Sequence, residues 1–196
     1  YSTQAIKTLS TTDGGIITLP NENLYQRCKL LRWFGINRDK RNYKKKDFRL
    51  EHDISEYGYK FHMNDVNATL GLHNLPHIDG LLEIARDNFN YYHKELKNIN
   101  GLVLNENATD RKSSCWLFTV RVNRKLEFIE KMKGKNIMIS QVHQRNDINS
   151  CVKEFEEILP NIDQLERELV CIPVGWWVTK KEREYIVQCI KEFFNN

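Results

Sequence analysis

Long hydrophobic runs are missing from this chain of 196 residues. No apolar stretch approaches the roughly 18 to 20 residues that span a bilayer, and no signal-peptide pattern opens the sequence. A membrane-spanning fold and a secretory route are set aside, and a soluble, cytoplasmic protein with no membrane partner is expected. Cysteine is sparse and unpaired: Cys28, Cys115, Cys151, Cys171 and Cys189 are odd in number, widely spaced and lack a Cys-x-x-Cys pair. That excludes a disulfide frame and a zinc site and leaves reduced, mostly buried thiols. Gly-x-Ser-x-Gly, a P-loop and a dinucleotide fingerprint are absent, as are internal repeats and low-complexity tracts.

Positive charge is in slight excess, with a formal net charge of +4. It gathers in Arg38-Asp39-Lys40-Arg41-Asn42-Tyr43-Lys44-Lys45-Lys46-Asp47-Phe48-Arg49. Such a run can hold nucleic acid or a diphosphate, but a solvated loop is the better explanation, and no nucleic-acid-binding motif accompanies it. His73 and His77 stand four apart, yet Pro76 breaks the helix between them and no third ligand is suitably spaced, so no metal site is expected.

What is present is enough apolar residue, 40% of the chain with 11% aromatic, for one substantial core or one and a half small domains. The most informative stretch is the first. Lys7 lies among Ser2, Thr3, Thr8, Ser10, Thr11 and Thr12, with no acid before Asp13. Hydroxyls and backbone amides can grip a phosphate, and a lysine kept from bulk water can lose its proton and become a nucleophilic amine. Together they suggest pyridoxal phosphate, against the plainer reading of a surface lysine in a Ser/Thr-rich loop. Asp13-Gly14-Gly15 makes a turn into Ile16-Ile17-Thr18-Leu19, read as a short buried strand.

Further along, Asn21 is placed to cap a helix that Gly35 ends, and residues 36–57 read as a long charged loop. Asn64 caps a second helix in which Ala68 and Gly71 permit close packing. Apolar residues from Ile78 to Leu96 recur at helical spacing, with Phe89 and Tyr92 as core and His93 as a surface residue. Beyond Gly101 the expected order is strand 102–104, strand 114–122, helix 125–133, strand 137–139, strand 170–174 and a last helix capped by Thr179, which makes a small α/β lobe. Trp176-Trp177 after Gly175 could stack on a ring, but the expectation is that they pack under that helix. Gln141, His143, Arg145 and Asn146 cluster after a strand, a plausible ligand edge.

Two segments resemble the DegT/DnrJ/StrS family of sugar aminotransferases. Ser2-Thr3-Gln4-Ala5-Ile6-Lys7, with its Thr-rich run and Gly14-Gly15, follows that family's Ser-Phe-x-x-x-Lys pattern, with Thr3 in place of Phe. Gly58-Tyr59-Lys60-Phe61-His62-Met63-Asn64-Asp65-Val66-Asn67-Ala68 follows its Gly-Tyr-(Asn or Lys)-Tyr-x-Met-x-Asp-(Ile or Val)-x-Ala run. Phe61 replaces the second Tyr, and Thr69 stands where a second Ala is common.

The resemblance implies an α/β, aspartate-aminotransferase-like (fold type I) enzyme. Residues 1–76 would end its large cofactor-binding domain, 77–100 would link, and 101–196 would form a small carboxy-terminal domain. An amino-terminal half would precede Tyr1 and supply the pyridine-facing aspartate and the stacking aromatic. It further implies a homodimer with shared active sites, in which Lys7 carries the cofactor as a Schiff base. Ser2 and Lys60 of the partner subunit would hold the cofactor phosphate. Tyr59, His143 and Arg145 would contact a nucleotide-linked keto-sugar, with glutamate as amino donor. A sister branch that dehydrates sugars carries histidine in place of the lysine, and Lys7 argues against it. The competing class is a non-enzymatic anion-binding module.

Overall fold

The computed structural model describes residues 1–40 and 53–195. The chain forms two compact units, Tyr1–Pro76 and His77–Asn196.

In the first unit, Asn21 is extended and its side chain accepts from Leu24 N at 3.0 Å, which starts helix α1, Glu22–Leu31. Glu22 in the first turn and Lys29 in the last suit the helix dipole. The exit is set by Gly35, whose φ of +76° is left-handed and whose N–H returns to Leu30 O at 3.0 Å. A Cβ there would stand 2.0 Å from Glu56 O, so only glycine allows the returning chain this close. Helix α2, Asp65–Asn74, begins at Asn64, whose side chain accepts from Asn67 N at 2.9 Å. It ends in a 3-10 turn, Leu75–His77, that contains Pro76.

The expected strand over Ile16–Leu19 does not form. A single bridge joins Ser2 to Gly15, and Ile16 and Ile17 are 50% and 71% exposed. The apolar pattern there is real, but among the described residues no second strand pairs with it. From residue 41 to residue 52 the basic segment lies outside the described residues.

The second unit is built on a three-stranded antiparallel sheet in the order β1 (Leu102–Leu104), β2 (Phe118–Val122), β3 (Leu169–Ile172). Leu102 pairs with Val122 and Phe118 with Ile172. On β2 the pleat buries Phe118, Val120 and Val122 while Thr119 and Arg121 take the other side. Against the buried side pack α3 (Ile78–Leu96), α4 (Lys125–Gly134) and α6 (Lys180–Asn195), which contribute Tyr92, Leu96, Phe128, Met132, Ile186, Ile190 and Phe193. Each such side chain contributes about 1.5–3 kcal/mol of burial. Arg121 meets Glu168 at the end of helix α5, Pro160–Glu168.

Three expectations need correcting in this unit. The strand begins at Phe118 rather than at residue 114, because Cys115 takes a left-handed φ of +51° and its N–H turns back to the Ser113 hydroxyl at 3.0 Å. Residues 137–139 alternate as a strand should, with Ile137 and Ile139 buried and Met138 87% exposed, yet pairing is confined to one bridge, Ser140 to Cys171. Helix α5 and a 3-10 turn, Ser150–Phe155, were not expected and stand between that segment and β3.

Thr179 does cap α6 in a reciprocal box: Thr179 N–H donates to the Glu182 carboxylate at 2.8 Å, and Glu182 N–H to the Thr179 hydroxyl at 3.3 Å. Beneath that cap lies a polar hub. Buried Arg183 donates to Asp87 at 2.6 Å and to Asn88 at 3.0 Å, and Asn88 donates to Val178 O at 2.8 Å and Gly175 O at 3.3 Å. The hub fixes the loop that carries Trp176 and Trp177.

Candidate functional site

The Lys7 segment of the first unit is a closed turn. Tyr1 and Ile16 exchange backbone hydrogen bonds at 2.6 and 2.7 Å, Thr3 N–H donates to Gly14 O at 3.0 Å, and Thr11 N–H donates to Thr3 O at 2.8 Å. Inside it the hydroxyls of buried Thr3 and Thr11 meet at 2.8 Å. The threonines therefore knit the turn rather than face a ligand. Lys7 sits half-buried beyond this clasp, its N–H donating to Gln4 O at 2.9 Å. Ser2 is exposed, its hydroxyl 3.4 Å from Gln4 N.

Helix α2 holds the turn from one side. Asn67 donates to Asp13 O at 2.8 Å and Asn74 to Ser10 O at 2.9 Å, and a Cβ on Gly71 would meet the Thr11 methyl at 2.8 Å. Residues 67, 71 and 74 share one helical face. Asn67 and Asn74 escaped sequence reasoning, although the Asn67-Gly71-Asn74 spacing was a readable polar and small stripe.

Lys60 and Tyr59 lie on a short extended piece beside the end of α1. Tyr59 N–H donates to Leu31 O at 2.6 Å, Phe34 N–H to Tyr59 O at 3.0 Å, and Trp33 bridges Lys60. The Tyr59 ring stacks on Phe61 with centroids 4.9 Å apart, and both residues are exposed, as is Lys60. Nearby is a cleft of about 240 Å³ lined by Lys29, Arg32, Trp33, Asn37, Arg38 and His62. The His62 ring stands edge-on to Trp33 at 4.0 Å, its Nδ1 is buried with no hydrogen-bond partner, and the Arg38 guanidinium lies 5.3 Å over Trp33. His62 was missed because its only signal was a variable position in the second motif.

In the second unit, His143 is exposed, with its ring 6.0 Å from Trp116 and its carbonyl accepting from Gln141 at 3.1 Å. Arg145 is committed within its own loop. It forms a fork on Asp147, with Nε to Oδ1 at 2.7 Å, and donates a third bond to Asp163. Those carboxylates, Asp147 first, raise the Arg145 guanidinium further above its ordinary range, and the arginine's hydrogen bonds hold the Asp147 carboxyl below its own.

Asp147 has the lower pKa in the folded state, so on acidification the unfolded chain binds its proton first. The contribution is complete above the unfolded value of about 3.9 and disappears as pH falls through the folded value. A melting series is expected to show the midpoint of this unit falling below about pH 4, with a shallower fall in Asp147→Asn. Equal slopes in the two proteins would count against the clamp. His93, expected at the surface, is half-buried in the wall of a polar cleft of about 510 Å³ with Phe89, Asn105, Glu106, Thr109 and Arg111.

Similarity to known proteins follows the same two motifs and extends past them. The crystal structure of the sugar aminotransferase CalS13 from Micromonospora echinospora superposes with a TM-score of 0.92 at 38% identity, over 98% of this chain and 51% of that one. UDP-4-amino-4,6-dideoxy-N-acetyl-beta-L-altrosamine transaminase of Campylobacter jejuni is 27% identical over 95% of this chain and 49% of its own length. UDP-4-amino-4-deoxy-L-arabinose–oxoglutarate aminotransferase of Shewanella sediminis is 22% identical over 100% of this chain and 54% of its own. The chain thus spans about half the length of these relatives, and its fold is the fold type I α/β architecture of such enzymes. The model of the DegT/DnrJ/EryC1/StrS aminotransferase family matches residues 1–191, and the chain belongs to that family.

Proposed function

We propose that this chain is the lysine-bearing part of a pyridoxal-phosphate-dependent aminotransferase that converts a nucleotide-linked keto-deoxy-sugar into an amino sugar, with glutamate as donor. The observation that carries this reading is the closed turn that includes half-buried Lys7 and exposed Ser2 and is braced by α2. The donor set fits the cofactor: an amine for its aldehyde and the Ser2 hydroxyl for its phosphate, on one hydrogen-bonded scaffold. When bound, pyridoxal phosphate supplies the aldehyde that condenses with amines and the ring that draws electrons from the adjacent carbon.

The chain's own residues do the rest. Lys7 Nζ would hold the cofactor and, once released, carry a proton to and from the substrate carbon. Ser2 would donate its hydroxyl to the phosphate, and Lys60 of the neighbouring subunit would meet it as a point charge. Arg32, Arg38 and His62 around Trp33 make a basic cleft suited to a diphosphate. Tyr59 and His143 are the exposed groups offered to the sugar.

A homodimer is supported by α2, which buries none of its residues in this chain, and by Phe61, Val66 and Leu72, which are 75%, 70% and 71% exposed. A cytoplasmic setting accords with five free thiols. Among the described residues no helix is long and apolar enough to cross a membrane.

The test is chemical. The protein loaded with pyridoxal phosphate and reduced with borohydride should carry the label on the peptide containing Lys7. A label confined to other lysines, or none, defeats this reading and favours the anion-binding module.

A further inference from the structure

The second unit has a feature that transamination does not use. Trp176 and Trp177 are 50% and 57% exposed, and they do not pack beneath α6 as their sequence neighbourhood predicts. Their loop is nonetheless rigid. The buried amide of Asn88 donates to the carbonyls of Gly175 and Val178 on either side of the pair, and Arg183 holds Asn88 in turn.

Gly175 explains how Trp177 is seated. A Cβ there would stand 2.3, 2.3 and 2.6 Å from three consecutive carbons of the Trp177 ring. Near-equal distances to three adjacent atoms mean that the face of the indole, not its edge, lies over the glycine. Trp177 in turn meets Trp176 edge to face, with centroids 5.8 Å apart and planes at 82°. One indole is thus a bracket, and the other is held out over a cleft of about 400 Å³.

The other walls of that cleft decide what it would take. Besides Trp176 they include Ile84 and Val178 on the apolar side and Glu83, Asp87, Thr179 and Lys180 on the polar side. A broad protein contact needs contiguous apolar surface, and of these apolar walls Val178 is buried, which leaves Trp176 and Ile84 exposed beside charged and hydroxyl groups. A nucleotide needs spare cations, and here the two carboxylates are balanced by Lys180 and by Arg183, which is already paired with Asp87. What matches an aromatic face rimmed by hydrogen-bonding groups and close to neutral is an uncharged ring with an apolar C–H face and hydroxyl edges.

We propose that the Trp176 cleft is a second carbohydrate site, which takes a neutral pyranose such as the end of a saccharide. It is built from residues of the second unit alone and does not rest on the transamination reading. Trp176 is the platform, Trp177 positions it, and Glu83, Asp87 and Lys180 bond the hydroxyls at the rim.

Saturation-transfer NMR on the protein with methyl glucopyranoside, cellotriose and uridine monophosphate tests this. The glycosides should give saturable transfer to the C–H protons of one ring face. Trp176→Ala should weaken that binding at least tenfold, Trp176→Phe should retain part of it, and Trp177→Ala should weaken it several-fold. Melting temperature and transamination should stay as in the parent protein, so failure here is distinguishable from failure at Lys7. The proposal is overturned if no glycoside saturates, if Trp176→Ala binds as the parent does, or if uridine monophosphate occupies the cleft in preference to sugar. It is overturned equally if the only consequence of Trp176→Ala is loss of self-association in sedimentation.

Discussion

Lys7→Ala is expected to lower amino-group transfer by about 10³-fold or more while leaving the melting temperature unchanged. The size follows from the amine's two tasks, holding the cofactor and moving the proton, which no other group on the turn can perform. Ser2, Thr8 and Ser10 carry hydroxyls that do not ionise near neutral pH. The unchanged stability follows from what holds the turn. Thr3 and Thr11 clasp it from within, and Asn67, Gly71 and Asn74 brace it from α2. Lys7→Arg separates the two meanings of a basic residue here. It keeps the positive charge but is not deprotonated in proteins, so it should be as inactive as the alanine variant. Steady-state transfer from glutamate to a nucleotide keto-sugar is the measurement. Arginine activity within tenfold of the parent would make the residue an electrostatic contact and not a nucleophile.

Much of this architecture was legible because it is written in local rules. Asn21, Asn64 and Thr179 were recognisable as caps from the polar residue before a periodic run, and each makes the expected side-chain bond. The face of α6 that carries Ile186, Cys189, Ile190 and Phe193 is buried as its spacing required. What failed was non-local. Ile16–Leu19 and Ile137–Ile139 have strand-like composition, but a strand exists only when another edge pairs with it, and composition does not report the edge. Helix α5 lacks a side-chain cap and buries none of its residues, but Pro160 at its first position and its amphipathic spacing were signals that went unread.

The candidate site divides in the same way. Residue types and spacing pointed to Lys7 and Ser2, whereas the roles of Thr3 and Thr11 emerged only from their contact across eight positions. Arg145 looked like a free clamp because Asp163, one of its two partners, lies 18 residues away. Trp176 and Trp177 look like core by composition, and it is the Asn88 hub, 87 to 90 residues distant from the carbonyls it holds, that fixes them outward.

Gly58→Ala is expected to destabilise the first unit by about 3 kcal/mol, through space alone. Gly58 is not among the residues with left-handed φ, so alanine could adopt its backbone angles without strain. The added methyl, however, would stand 2.4 Å from Gly35 N, 2.7 Å from Leu31 O and 2.9 Å from Phe34 C. All three are backbone atoms, and no side chain can rotate to make room. The chain at 58–61 must then lift from the end of α1 and lengthen the bonds Tyr59 N to Leu31 O, Phe34 N to Tyr59 O and Phe61 N to Arg32 O, now 2.6, 3.0 and 2.9 Å. Overpacking costs about 1–3 kcal/mol, and each weakened bond adds up to about 1 kcal/mol. Because Tyr59 and Lys60 ride on this piece, the same change should weaken cofactor retention. Gly80→Ala is the matched control: nothing lies within 4 Å of its added methyl, and in the first turn of α3 it should leave stability unchanged or raise it by up to about 1 kcal/mol. Amide exchange reads the difference locally, with Phe34, Tyr59 and Phe61 losing protection in Gly58→Ala while β2 of the second unit keeps its own. Parent-like protection at those three amides would show that the two segments are not in the contact described.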